Sequence, residues 1–166
     1  VNLGSTSVYA VLAGAGITNT GATTISGTAG GDLGSAPTAG ITGDTLITTS
    51  GDKHPAADAQ TIAAKDDLVT AYNDAAGRIP ATTVAADLGG QTLTQGVYKS
   101  ASSLGLTGTL TLDAEDDPNA VFIFQAGSTL TTASSSDIVM VRGAQACNVF
   151  WQVGSSATFG LSLIHI

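Results

Sequence analysis

The chain has 166 residues, of which 43% are hydrophobic and 11% charged, with 21 glycines and a formal net charge of −8. That length suits one domain with a sizeable core, while 5 Lys plus Arg against 13 Asp plus Glu argue against a nucleic-acid backbone or an anionic lipid surface as partner. A single cysteine, Cys147, excludes an intrachain disulfide framework.

Taken in chain order, the first apolar stretch, Val8 to Ile17, is broken by Gly14 and Gly16. It is too short to cross a bilayer and lacks the basic head of a signal peptide. Threonines cluster next, as TNTGATT over Thr18 to Thr24 and TGDT over Thr42 to Thr45. His54, directly before Pro55, reads as part of a helix entry. The Ala-rich segment Pro55 to Ala76 has no internal glycine, with Pro at a plausible first helical position and Gly77 just past its end. It predicts a single helix of about five turns, roughly 33 Å long. Ile62, Val69, Tyr72 and Ala76 recur at helical spacing, with Leu68 at the edge, and form the face expected to pack; Lys65 intrudes on it and snorkels.

Beyond the helix, TLTLD from Thr109 and DIVMV from Asp137 alternate as strands do. Between them LDAEDDPN, Leu112 to Asn119, gathers four acidic residues without calcium-loop spacing and reads as a solvated corner. Cys147, in QACNVFW, reads as a buried small hydrophobe.

The strongest signal is an internal repeat. FIFQAGSTLT (Phe122 to Thr131) aligns with VFWQVGSSAT (Val149 to Thr158) at an offset of 27 residues, so that Gln125, Gly127, Ser128 and Thr131 fall on Gln152, Gly154, Ser155 and Thr158. A looser copy, VYKSASSLGL, begins at Val97, 25 residues before Phe122. A period of this size, built from three short strands with Gly, Ser or Asp corners, predicts a β-solenoid whose coils stack about 4.8 Å apart. In the repeated strand both registers are apolar. Phe122 and Phe124 align with Val149 and Trp151 on one side, and Val121 and Ile123 with Asn148 and Phe150 on the other. A strand apolar on both sides is covered on both, and the helix is the candidate cover.

The segments AVLAGAGITNTG, DLVTAYNDAAGRIP, LGGQTLTQGVYKS, LTGTLTLDA, DPNAVFIFQAGSTLTTAS and GAQACNVFWQVGSSAT resemble the microbial ice-binding protein family. The resemblance runs from about Leu3 to Gly160. It implies a mainly β fold, a discontinuous right-handed β-solenoid of triangular section with one long α-helix alongside, in a single domain over residues 1–160. It also implies a secreted, non-enzymatic antifreeze protein acting as a monomer without cofactor, its partner being the ice crystal surface. Two departures stand out: Gln95 where the family has Pro after TLT, and the irregular ISGTAGGDLGSAPTAG. Family members continue past SSATFG with further coils. Leu161 to Ile166 instead read as the translation of a transposase-adapter end, which makes the C-terminal coils truncated.

The threonines then acquire a role. Alternation points Thr109 and Thr111 outward with Leu110 and Leu112 inward, and does the same for Thr129 and Thr131 around Leu130. A flat grid of methyls and hydroxyls can hold ordered water. The expected ice-contact set is Thr20, Thr23, Thr42, Thr45, Thr109, Thr111, Thr129 and Thr131, with the Thr109 face favoured because the neighbouring Asp137 to Val141 strand makes it flatter and more apolar. The alternative is a carbohydrate-binding or adhesive β-solenoid, which needs exposed aromatics. Tyr98 and Trp151 fall on covered faces and Tyr72 on the helix stripe, leaving Tyr9 unplaced. His165 lies in the adapter-like tail, which leaves His54 alone, so neither a Ser-His-Asp triad nor a histidine metal cluster can be assembled with any redundancy.

Overall fold

The computed structural model describes residues 1–26 and 30–160. It is mainly β-structure with one long helix, and it divides into two compact units, Val1–Asn73 and the chain from Asp74 onward. The expectations for 161–166 lie outside the described residues.

In the first unit, a 3-10 turn at Gly4–Val8 leads into β1 (Tyr9–Ala13), β2 (Ile17–Thr18) and β3 (Thr23–Ile25). A second circuit repeats the order as β4 (Asp32–Ser35), β5 (Ile41–Thr42) and β6 (Ile47–Thr49), and β7 (Lys53–His54) opens a third. Each strand pairs in parallel with its counterpart one circuit on, giving sheets β1-β4-β7, β2-β5 and β3-β6. The segment that looked irregular in sequence therefore contains a paired strand, β4, with Leu33 and the following Ala36 each only 1% exposed.

The helix, α1, spans Ala59–Gly77 and so begins four residues later than Pro55. Capping decides the start. Asp58 Oδ1 accepts the Thr61 N–H at 2.8 Å, and the Asp58 carbonyl accepts the Ile62 N–H at 3.0 Å, which is what an N-cap residue supplies. The amino-terminal turn is tied to the helix: the Ser5 N–H and hydroxyl donate to Asp67 Oδ2 at 2.7 and 2.6 Å, and the Thr6 hydroxyl donates to the Ala64 carbonyl at 2.7 Å. A methyl group at Gly34 would come within 2.8 Å of the Tyr9 ring and 2.9 Å of the Thr61 methyl. Residue 34 must be glycine for these groups to close over β4.

The helix face differs from the one its apolar residues suggest. Thr61, Ala64, Ala71 and Ala75 are buried, whereas Ile62, Val69 and Tyr72 are 47%, 56% and 41% exposed and Ala76 is also exposed. Small side chains allow a close approach that Tyr or Val would prevent, so the alanine stripe is the packed one and the Ile62–Tyr72 stripe faces outward.

The second unit repeats the three-strand circuit more fully. It runs β8 (Thr82–Thr83), β9 (Thr92–Thr94), β10 (Gly96–Ser100), β11 (Leu104–Leu106), β12 (Thr109–Asp113), β13 (Phe122–Ala126), β14 (Leu130–Thr132), β15 (Asp137–Val141), β16 (Val149–Val153) and β17 (Ala157–Phe159). These form three parallel sheets, β8-β10-β13-β16, β11-β14-β17 and β9-β12-β15. Gln125 pairs with Gln152 and Thr131 with Thr158, as the 27-residue repeat requires. The earlier copy is in a different register: Gly96, not Val97, pairs with Phe122, an offset of 26. A slip of one residue exchanges the two faces of a strand, and the observed register puts Tyr98 beside Phe124.

Tyr98, Phe124 and Trp151 consequently stack inside the unit, with ring centroids 5.5 and 4.1 Å apart. They join Leu88, Leu104, Leu106, Leu110, Leu112, Phe122 and Leu130 in one core. β13 is buried along its whole length, which agrees with cover on both sides. On the outer side, Gln125 Nε2 donates to the carbonyls of Ala75 (2.8 Å), Ala76 (3.3 Å) and Arg78 (3.1 Å). One amide thus satisfies carbonyls that the helix end leaves open. Cys147 is exposed, not buried. It sits in the 3-10 turn Ala146–Asn148 ahead of β16, where no strand alternation turns it inward.

Candidate functional site

The two sheets of the second unit without the helix-end contact present different outer surfaces. In β12, Leu110 and Leu112 are fully buried and Thr109, Thr111 and Asp113 lie on the opposite side. Register aligns Thr92, Thr111 and Val139 in one column across β9-β12-β15, and Thr94, Asp113 and Val141 in the next, with Thr109 beside Asp137. Columns of this kind repeat at about 4.8 Å between strands and about 6.7 Å along them.

The β11-β14-β17 surface is narrower. Leu104, Leu106, Leu130 and Thr132 are buried, so each three-residue strand offers one outer position, and Gly105, Thr131 and Thr158 align there. Thr129 precedes β14, and its hydroxyl donates to Ser103 Oγ at 2.8 Å.

In the first unit, exposed Thr18 pairs with exposed Thr42, and exposed Thr24 with exposed Thr48. Thr23 lies on the other side. It is half-buried, paired with Ile47, which is 6% exposed, and its hydroxyl donates to Asn19 Oδ1 at 2.8 Å. The pairing of β3 with β6 sets this phase, and Thr24 occupies the outer position that Thr23 was expected to hold. Thr20 is exposed in the connection between β2 and β3, and Thr45 is exposed in the 3-10 turn Asp44–Leu46. On the strands of these sheets, the exposed threonines outside the expected set are therefore Thr18, Thr24, Thr48, Thr92, Thr94 and Thr158. Thr158 had a signal, its 27-residue relation to Thr131, and Thr92 and Thr94 flank Leu93 just as Thr109 and Thr111 flank Leu110.

Charge on the β9-β12-β15 surface is handled unevenly. Arg142 donates Nε to Asp113 Oδ1 at 2.7 Å and Nη2 to Oδ2 at 2.6 Å, and the Glu115 N–H donates to Oδ1 at 2.9 Å. The guanidinium, followed by that N–H, holds the Asp113 carboxyl below its ordinary range. Asp137 is exposed and makes no side-chain hydrogen bond or ion pair among the described residues. Among the described residues no group of His, Cys, Asp and Glu side chains could hold a metal ion, and no helix is long and apolar enough to cross a membrane.

Residues 11–163 match a protein family described as ice-binding-like. The chain belongs to that family. An ice-binding protein from Nostoc sp. (strain HG1) is 48% identical over 162 residues, covering 95% of this chain and 57% of that protein. An ice-binding protein from Flavobacterium frigoris (strain PS1) is 33% identical over 96% of this chain and 61% of its own length. This ice-binding-like chain thus spans about three fifths of the length of these two relatives. The crystal structure of an ice-binding protein from the Antarctic ascomycete Antarctomyces psychrotrophicus superposes with a TM-score of 0.88 at 40% identity, covering 96% of this chain and 76% of that one.

Proposed function

We propose that this chain adsorbs to ice through the outer face of β9-β12-β15 and so restrains crystal growth and recrystallisation, without catalysis or cofactor, as a secreted monomer. The finer fold reading accompanies it: a right-handed β-solenoid of triangular section, interrupted by the helix, forming a single domain over residues 1–160. Family membership supports ice as the ligand. The observation that carries the choice of face is the in-register column Thr92–Thr111–Val139 beside Thr109, two of whose strands, β12 and β15, are five residues long where every strand of β11-β14-β17 has three. Threonine offers a methyl and a hydroxyl from one rigid β-branched stem, so aligned threonines fix water positions without ordering flexible side chains first.

The alternative, a carbohydrate-binding module, needs aromatic platforms facing solvent. Tyr98 is buried and stacked, and the Tyr9 hydroxyl lies 3.1 Å from Thr61 Oγ1 with its ring against His54. Withdrawal of these two rings favours ice, and Tyr72, 41% exposed on the outer stripe of the helix, is the tyrosine that faces solvent. The deciding experiment compares Thr111→Tyr with Thr131→Tyr by thermal hysteresis and crystal shape. The first, at a half-buried position, should lose most activity and the second, at an exposed one, should keep it, with unfolding midpoints as the check that both variants fold. The reverse result moves the site to β11-β14-β17. Retention by both, with binding to an insoluble polysaccharide, supports the alternative.

A further inference from the structure

The proposed face contains two carboxylates that differ in one respect. Asp113 is neutralised: Arg142 grips both of its oxygens and the Glu115 N–H occupies a further acceptor site. Asp137 begins β15 opposite Thr109 and is exposed. Its carboxylate has no cation or donor beside it among the described residues, and Arg142 is committed to Asp113 with Asp116 a further 4.0 Å contact.

We infer that Asp137 is a specificity-determining residue that limits ice adsorption on this face. The inference rests on the reading of β9-β12-β15 as the ice-contact surface. The physics concerns proton direction. A carboxylate accepts hydrogen bonds and donates none, so every water touching it turns a hydrogen inward. A water in a crystal layer donates and accepts in equal number, and the threonine hydroxyls can do either. Charge-assisted hydrogen bonds are about twice as strong as neutral ones, so Asp137 keeps its own hydration shell where Thr109 and Thr111 would release theirs to the lattice. Docking a flat crystal over it either strips that shell or leaves a gap. Asp113 imposes less of either cost, because Arg142 offsets its charge and three donors already occupy its oxygens.

The test measures thermal hysteresis at equal protein concentration for the unmodified chain, Asp137→Asn, Asp137→Thr and Thr111→Tyr, with unfolding midpoints as the control for folding. Asp137→Asn removes the charge at nearly constant shape, and Asp137→Thr also extends the threonine pattern from Thr109. Both should raise hysteresis at every concentration, and Thr111→Tyr should lose it. If Thr111→Tyr loses activity but neither Asp137 variant rises, the face stands and the role of Asp137 is overturned. If Thr111→Tyr keeps activity, the face reading itself fails and this inference fails with it. Should Asp137→Thr lower the midpoint, Asp137→Asn alone decides.

Discussion

The His54 imidazole sits between two carboxylates of the first unit, Nδ1 2.8 Å from Asp58 Oδ2 and Nε2 3.4 Å from Asp32 Oδ2, with 12% of its side chain exposed. Nε2 makes no hydrogen bond. Asp58 is also the helix N-cap, and Asp32 Oδ1 accepts the Asp52 N–H at 2.8 Å, so the ring joins the helix start to the edge of β4. The Asp58 hydrogen bond raises the His54 pKa above 6.5, with Asp32 adding to it and burial opposing. The Asp58 carboxyl is lowered from 3.8 to about 2 by the Thr61 N–H and then by His54. A raised histidine contributes stability that is complete below its unfolded value and lost as pH rises through the folded one. A depressed carboxylate contributes above its unfolded value and is lost as pH falls through about 2. Unfolding midpoints should therefore be higher at about pH 5.5 than at about pH 8, and His54→Gln should remove most of the difference; an unchanged pH dependence in that variant would assign it elsewhere. Much of this was hidden in the sequence. His54 and Asp58 are close enough in the chain for a helix-entry reading, but Asp32 reaches the ring only through strand pairing. Thr23 was misplaced for the same reason: TT at 23 and 24 gives no phase until β3 meets Ile47 on β6.

At the scale of elements, the helix was legible as a helix and misread as a surface. Absence of glycine, high alanine content and the flanking Pro and Gly suffice to predict it. Its orientation does not follow, because Ile62, Val69 and Tyr72 form a helical stripe at the expected spacing and still face outward. The alanines carry no hydrophobic signal as strong, yet Ala64 and Ala71 are 0% and 3% exposed. What selects them is closeness of approach, and that depends on the surface met. Tyr72→Ala should accordingly cost well under the ~3 kcal/mol of a buried aromatic truncation, whereas Ala71→Leu should destabilise by about 1–3 kcal/mol through overpacking. Denaturant unfolding of the two variants checks the order, and a larger loss from Tyr72→Ala would restore the original face. Gln125 shows a similar limit. Its recurrence as Gln152 marked the position, but a polar residue inside an apolar strand has no visible reason until the helix-end carbonyls come within 2.8 to 3.3 Å of its amide.

At the scale of the whole molecule, the repeat was the most readable feature because parallel stacking writes itself into the sequence: residues one circuit apart become neighbours, and Phe124 over Trp151 or Thr131 over Thr158 is both an alignment and a contact. Division into two units was written less directly, as an uneven distribution of rings: all four Phe and the single Trp fall in the second unit. Stacked circuits draw stability chiefly from nearest neighbours, so position within a stack should decide what a core residue contributes. In the second unit, Phe124 is fully buried with a ring on each side, Tyr98 and Trp151. Trp151 is half-buried and lines a recess of about 190 Å³ with Leu106, Leu130, Ile138, Val153 and Phe159, the last 61% exposed. Phe124→Ala should cost about 3–5 kcal/mol, in the range of a buried aromatic deletion. Trp151→Ala should cost less despite removing the larger ring, because part of that ring already faces the recess. Amide exchange should follow the same order, slowest along Phe122–Ala126 and faster in Ala157–Phe159, where all three residues are exposed. Equal losses from the two substitutions, with uniform protection across the three sheets, would mean that the second unit unfolds as one cooperative block and that stacking position carries no weight.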